Sequence, residues 1–369
     1  MTEFEFFMQT LEELVTTPSV SQSERAVAEK VAAILTDMGY APEIQPVGEA
    51  GANVICRILG GNGPTVLLGG HIDTVSVCAG WQHDPSRLTV ENGRAYGLGA
   101  CDMKGGISAL LTLLRRFALS GGKPAGDILF AALADEERLS LGAETFAETN
   151  PRADFCILAE PHYDEFVVGA TGKILLELTV RGACGHAAKP ETGVNAIACM
   201  SRFLAVADRK YGDLYRQGKA ASYCPLHIWN EYPTYSLNIP DKCSLLLNKQ
   251  LFPSESADAF QADLQMIFRE TCPEAELVIE RRRPYYPAYE TDQTSRNFQR
   301  LHRLAEESQG RPIPLMVNQS VSDGNVIEPI LGIPTVIFGP KGVGCHQPDE
   351  YLVLDSVMCY IDTLYQFLS

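Results

Sequence analysis

Apolar residues recur along this chain at two spacings, and the spacing changes with position. At Val27, Val31, Ile34, Leu35 and Met38 they fall three and four apart, which gathers them on one face of a helix, and Gly39 stands where such a helix should stop. Ser21 and Glu24 have the spacing of a capping box and set its predicted start. Ile107, Leu110, Leu111 and Leu114 form a second stripe of the same kind. Elsewhere the apolar residues come in short unbroken runs bounded by Gly, Pro or acidic residues, at 65–68, 128–133, 155–158 and 335–338. Runs of that length read as buried strands, and strands alternating with helices predict an α/β domain with a mostly parallel sheet.

The middle of the chain reads differently. Residues 173–181 alternate as a strand, 195–207 are helical, 243–251 strand-like, 257–269 helical and 276–281 strand-like again. That order suits a small α+β domain. Placed as an insertion, it leaves the 335–338 run free to complete the first sheet, so we expect one domain from residues 1–170 and 285–369 and a second from 171–284.

Composition narrows the function classes. With 46% hydrophobic and 21% charged residues, and glycine and proline scattered without period, the chain has the make-up of an ordinary globular protein. Thirty Lys and Arg against 46 Asp and Glu give a formal charge of -16, which leaves no electrostatic footprint for nucleic acid or an anionic membrane. No apolar stretch reaches the ~18 residues a spanning helix needs. The first forty residues carry Glu3, Glu5, Glu12 and Glu13 where a signal peptide would carry basic residues and an apolar run. Eleven cysteines without a C-x-x-C pair argue against a disulfide framework, and the expected compartment is a reducing cytoplasm.

In open α/β sheets ligands gather at the carboxyl ends of strands. Here those ends run into metal-binding residue types: Gly69-Gly70-His71-Ile72-Asp73, Asp135-Glu136-Glu137, Glu160-Pro161 and, after Gly339-Pro340, His346. Gly97-Leu98-Gly99-Ala100-Cys101-Asp102 places a further carboxylate just before a helix. His71 and His346 with Asp102, Glu137 and Glu160 make a ligand set suited to zinc, with cobalt or manganese as alternatives. Three carboxylates against two divalent ions leave one positive charge, which a hydroxide would neutralise, so a two-metal hydrolytic centre fits. Asp73 is placed to accept the other ring N–H of His71. Neighbours in extended chain point opposite ways, so Glu137 is assigned as ligand and Glu136 as the general base that takes a proton from the activated water. Cys101 and Cys345 each precede a ligand and are expected to pack beside the site rather than coordinate.

Taken in order, Gly-Gly-His71-Ile-Asp73-Thr, Gly-Leu-Gly-Ala-Cys-Asp102-Met-Lys-Gly-Gly, Asp-Glu136-Glu137, Glu160-Pro161 and Gly-Cys-His346-Gln-Pro-Asp-Glu350 resemble the co-catalytic di-zinc amidohydrolase and metallopeptidase family, which contains acetylornithine deacetylase, succinyl-diaminopimelate desuccinylase, glutamate carboxypeptidase and the aminoacylases. The resemblance covers nearly the whole chain. It implies that Asp102 bridges two metals, with His71 and Glu160 completing one site and Glu137 and His346 the other. It makes the insertion a lid and dimerisation domain, so a homodimer is expected. Gly185-His186-Ala187-Ala188, followed by Pro190, Gly193 and Asn195-Ala196-Ile197, matches the family's lid motif, whose histidine reaches a substrate carbonyl, in several members from the partner subunit. His186 would thus stabilise the oxyanion, and Asn238 matches a second substrate-contacting position.

Two departures shape the substrate expectation. Members that recognise a substrate carboxylate usually carry an arginine two residues after an Asp or Asn in a lid strand, where this chain has Asn248-Lys249-Gln250. Ser322-Asp323-Gly324 is followed by Asn325, where the desuccinylase has arginine. Neither Gln nor Asn supplies the guanidinium fork of a bidentate carboxylate clamp, which weighs against the desuccinylase and carboxypeptidase activities. The expected function is hydrolysis of the amide bond of an N-acyl amino acid or related small amide, as in acetylornithine deacetylase. The alternatives are a di- or exopeptidase acting on short peptides with the same centre, and a catalytically silent dimeric binding protein.

Overall fold

The computed structural model describes residues 1–231 and 236–369. Contacts divide the chain into two compact units, one of residues 1–169, 290–318 and 322–369, the other of residues 170–289 and 319–321.

In the larger unit the strands Ile128–Leu133, Val66–His71, Phe155–Leu158 and Thr335–Ile337 lie side by side in that order and run parallel. Every residue in all four is buried, as a sheet covered on both faces requires. Antiparallel strands complete both margins, with Gly51–Ile58 and Glu43–Val47 beyond one side and Phe166–Ala170 beyond the other. The register aligns the carboxyl ends at one edge: His71 lies opposite Leu133, Gly69 opposite Leu158, and Leu158 opposite Ile337. The 335–338 run therefore joins the same sheet as the amino-terminal runs.

Helix Lys104–Ser120 crosses this sheet with Ile107, Leu110, Leu111 and Leu114 buried in the core that also takes Leu68, Phe130 and Ile157. It approaches so closely that a Cβ on Gly106 would collide with the Ala159 carbonyl. Gly70 is equally constrained, because the Met103 side chain occupies the space a Cβ would need.

Helix Arg25–Asp37 buries Val27, Val31 and Leu35 and is followed by Gly39 at a φ of 86°, a left-handed conformation natural to glycine. Its start corrects the expected capping box. Glu24 at the N-cap is itself helical in conformation and makes no side-chain cap. The Ser21 hydroxyl donates instead to Asp73, and the Glu24 carboxylate accepts from the Gln22 and Asp135 amides. Tertiary partners outcompete the local cap.

A small antiparallel sheet, ordered Gly342–Val343, Tyr351–Val353, Arg94–Tyr96 and Thr89–Glu91, pairs Tyr351 with Tyr96. It joins the segment leading into Asp102 to the segment following His346. The smaller unit is a four-stranded antiparallel sheet in the order Tyr223–Trp229, Lys242–Leu251, Gly172–Arg181 and Glu276–Tyr286. Leu176, Leu178, Val180, Leu245 and Leu247 face Phe203 of helix Ala196–Arg216 and Leu264 and Phe268 of helix Ala257–Thr271. The strand Tyr223–Trp229, absent from the sequence reading, carries few buried residues to mark it. Among the described residues no helix is long and apolar enough to cross a membrane.

Candidate metal centre

The aligned strand ends, the turn ahead of helix Lys104–Ser120 and the loop after Gly342–Val343 bring together the five residues expected to bind metal. The central one is Asp102, whose Oδ1 lies 3.1 Å from His71 Nε2 and whose Oδ2 lies 3.4 Å from His346 Nε2. Glu160 Oε2 stands 3.9 Å from His71 Nε2, and Glu137 Oε2 stands 2.8 Å from His346 Nε2. The carboxylate of Asp102 thus lies between two imidazoles, each with a glutamate of its own. His71 is buried, Asp102, Glu137 and Glu160 nearly so, while His346 is open to solvent.

The unshared pair of a neutral imidazole nitrogen and a carboxylate oxygen do not approach each other unless a proton or a cation lies between. In the absence of a cation, protons take that place. Hydrogen bonds to Asp102 and Glu137 push His346 up to about 10. Burial pulls His71 down, but Asp102, Asp73 and the Glu160 charge carry it well above its usual value. Burial and the neighbouring Asp102 push Glu160 up despite His71. Divalent ions would replace these protons and offset the clustered negative charge. The donor set, imidazole nitrogen and carboxylate oxygen, suits zinc and its neighbours.

Asp73 does more than face one ring nitrogen. His71 Nδ1 lies 3.1 Å from the Asp73 carbonyl and 3.4 Å from Oδ1. The same buried carboxylate accepts the backbone N–H of Glu136 at Oδ1 and of Glu137 at Oδ2, each at 3.1 Å, and the Ser21 hydroxyl at 2.7 Å. It therefore orients a histidine and the two-glutamate turn together. Burial lifts Glu136 well above the carboxylate range; His71 opposes this, while Glu160, Asp323 and Glu137 add to it.

Residues to which the sequence reading gave no role support the site. Glu350 is buried, accepts the Gly99 amide and is pushed up to about 8 by burial. It holds the turn leading into Asp102, in which Gly99 has a φ of 76°. Lys104 is also buried and donates to the Leu14 and Thr17 carbonyls at 2.8 and 2.9 Å, while burial lowers it to about 7. Asp323 is buried and pushed up to about 7 by that burial. The sequence reading quoted it in Ser322-Asp323-Gly324 but gave it no role.

Cys101 and Cys345 lie sulfur to sulfur at 3.1 Å. A second group of possible ligands, Cys199, Cys272 and Glu274, is bridged by the Arg202 guanidinium, which contacts both Cys199 and Glu274 and already supplies a positive charge there.

In the smaller unit, His186 and Asn238 are neighbours across an isolated β-bridge, and both are exposed. The Ala188 amide donates to His186 Nδ1 at 3.1 Å. A neutral His186 must then carry its proton on Nε2, leaving that N–H as a free-facing donor. Lys249 is excluded from ligand contact: it is buried and donates to the Ala221 and Gln250 carbonyls and to Glu255. Gln250 meets the Thr171 hydroxyl, and Asn325 is buried with its side-chain oxygen accepting from Ser322.

The sequence model described as peptidase family M20/M25/M40 matches residues 67–369. Acetylornithine deacetylase of Vibrio campbellii is 29% identical over 97% of this chain and 96% of its own length. The enzyme of that name from Shigella sonnei is 30% identical over 94% and 92%. Among solved structures, aminopeptidase PepT of Bacillus cereus superposes with a TM-score of 0.83 at 22% identity, covering 99% of this chain and 98% of that one. A dinuclear metal-binding peptidase of Bacillus subtilis does so with a TM-score of 0.74 at 16% identity, covering 99% and 97%.

Proposed function

The chain belongs to peptidase family M20/M25/M40, hydrolases of amide or peptide bonds, and from that premise we propose that it removes the acyl group from an N-acyl amino acid or related small amide. The observation that carries this reading is Asp102 set between His71 and His346, with Glu160 and Glu137 at either end and the Glu136 carboxyl beside them. In this reading His71, Asp102 and Glu160 hold one divalent ion, and Asp102, Glu137 and His346 a second, with zinc the first choice and cobalt or manganese acceptable to the same donors. When bound, the ions supply Lewis acidity, lowering the pKa of an attacking water and polarising the scissile carbonyl.

The chain's own residues do the rest. Glu136 accepts the proton of the attacking water and passes it to the departing amine. Asp73 fixes the His71 ring and, through the two backbone amides it accepts, the aim of Glu136 and Glu137. We assign the smaller unit, expected at residues 171–284 and found at 170–289 with 319–321, the role of lid and dimerisation domain. Its His186 Nε2–H is the donor to the developing oxyanion and Asn238 a substrate contact. A homodimer through this unit is supported by the edge strand Tyr223–Trp229, which leaves Leu226 and Ile228 exposed, at 56% and 50%. All eleven cysteines are free, which supports a cytoplasmic setting.

The peptidase names among the structural neighbours favour one competing reading, a di- or exopeptidase built on the same centre. A hydrolysis screen of N-acetyl, N-succinyl and N-formyl amino acids beside dipeptides, each with zinc, cobalt and manganese, separates the two. Glu136→Gln is expected to keep its metal and lose about 10²- to 10⁴-fold in turnover. Loss of metal with retained turnover would mean that Glu136 and Glu137 have exchanged roles.

A further inference from the structure

The two sulfurs 3.1 Å apart belong to residues that each adjoin a member of the metal centre, Cys101 before Asp102 and Cys345 before His346. They come from distant parts of the chain and meet because the Tyr96 and Tyr351 strands pair beside them. Cys101 is buried at 1% exposure, and Cys345 is half-buried. Nothing in the hydrolytic chemistry uses either thiol. We propose that Cys101 and Cys345 are an oxidative modification site, a dithiol that a hydroperoxide converts to a disulfide, and that the disulfide switches the neighbouring centre off.

The more exposed Cys345 reacts first. Its sulfur attacks one oxygen of hydrogen peroxide, the O–O bond breaks, and the products are Cys345 sulfenic acid and water. The Cys101 sulfur then attacks the sulfenic sulfur, the S–O bond breaks, and hydroxide leaves with the Cys101 proton as a second water. Two thiols lose two electrons and the peroxide gains them. A thiol reductant reverses the change by exchange.

Closing the sulfurs from 3.1 Å to a disulfide bond of about 2.05 Å draws the two segments together by roughly 1 Å. The Asp102 side is held by the Glu350 contact to Gly99 and by buried Lys104. His346, more than half exposed, is the freer partner, so the displacement falls on its imidazole. A shift of about 1 Å at a catalytic group is enough to cost ~10²-fold in rate.

This inference rests on the metal-centre reading for its effect on activity, but not for bond formation. The test treats metal-loaded protein with hydrogen peroxide, then maps disulfides by differential alkylation and peptide mass while following hydrolysis of whichever acyl amino acid or dipeptide the screen identifies. The expected result is a Cys101–Cys345 linked peptide, a ~10²-fold fall in kcat and recovery with dithiothreitol. Cys345→Ser and Cys101→Ala, assayed separately, should retain turnover when reduced and give no linked peptide, and Cys345→Ser, which lacks the thiol that peroxide reaches first, should also keep its turnover in peroxide. Failure to find the linked peptide, or linkage with undiminished kcat, would overturn the proposal. Reduced protein inactive on every amide, with the linkage still forming and reversing, would instead refute the hydrolase reading and leave the modification site standing.

Discussion

Replacing Asp73 by Asn tests how much of the metal centre depends on a residue that does not itself face both imidazoles. The substitution keeps size and one acceptor oxygen, yet Asp73 now serves two backbone amides, one on each carboxylate oxygen, and the Ser21 hydroxyl. With Asn, either the Glu136 or the Glu137 amide meets an NH2 group, donor against donor. Losing one buried hydrogen bond to a charged acceptor costs about 1.5 to 3 kcal/mol. The charge that favours the Nδ1-protonated form of His71 is lost at the same time. Metal affinity and kcat/KM should each fall about 10- to 100-fold, the range typical of residues that orient ligands. Competition with a chromophoric chelator measures the first, steady-state hydrolysis the second, and circular dichroism confirms that the chain is folded. A folded Asp73→Asn protein with affinity and kcat/KM both within twofold of the parent would refute the claim that this carboxylate organises the site.

Three further outcomes follow from other parts of the molecule. Gly106→Ala drives a methyl group into the Ala159 carbonyl and should lower stability by about 1 to 3 kcal/mol in urea unfolding, the usual cost of overpacking a core. Burial raises Glu24 from 4.5 to about 7, so its stabilising contribution is full below pH 4.5 and is lost as pH rises through about 7; Glu24→Gln should therefore show a flatter decline of Tm between those values, and identical slopes would argue against it. His186→Ala should lower kcat more than it raises KM, and verified heterodimers of that variant with Glu136→Gln should regain activity if the histidine acts on the partner's site.

The buried strands were legible in the sequence because unbroken apolar runs between Gly, Pro and acidic residues leave few alternatives, and 128–133 and 155–158 match the observed strands to the residue. The strand ends were legible for the same reason, since a carboxylate or histidine beside such a run has nowhere to go but the sheet's edge. The local cap at Ser21 was misread because a capping box is a short-range pattern, and Asp73 offered Ser21 a stronger, charged acceptor fifty residues away. Glu350 and Lys104 stand inside the motifs that carry the resemblance, but their supporting roles were not read, because a charged residue carries no sign in the sequence that it will be buried; both meet backbone groups of segments far from them. Strand Tyr223–Trp229 was missed because its exposed edge position lets it dispense with apolar alternation.

The parallel pairing of Thr335–Ile337 with Phe155–Leu158 also sets an order of events during synthesis. Nearly 180 residues separate the two strands, and residues 170–289, which fall between them, make up all of the second compact unit except residues 319–321. On a ribosome residues 170–289 and 319–321 are all made before the fourth parallel strand, Thr335–Ile337, has been added. Closing that long loop adds only a modest entropic penalty, because the cost grows with the logarithm of length. His346 emerges after His71, Asp102, Glu137 and Glu160, so the donor set proposed for the metals stays incomplete until that last histidine is made. A chain cut short before residue 346 would present a nearly finished sheet whose acidic edge has no second imidazole to face.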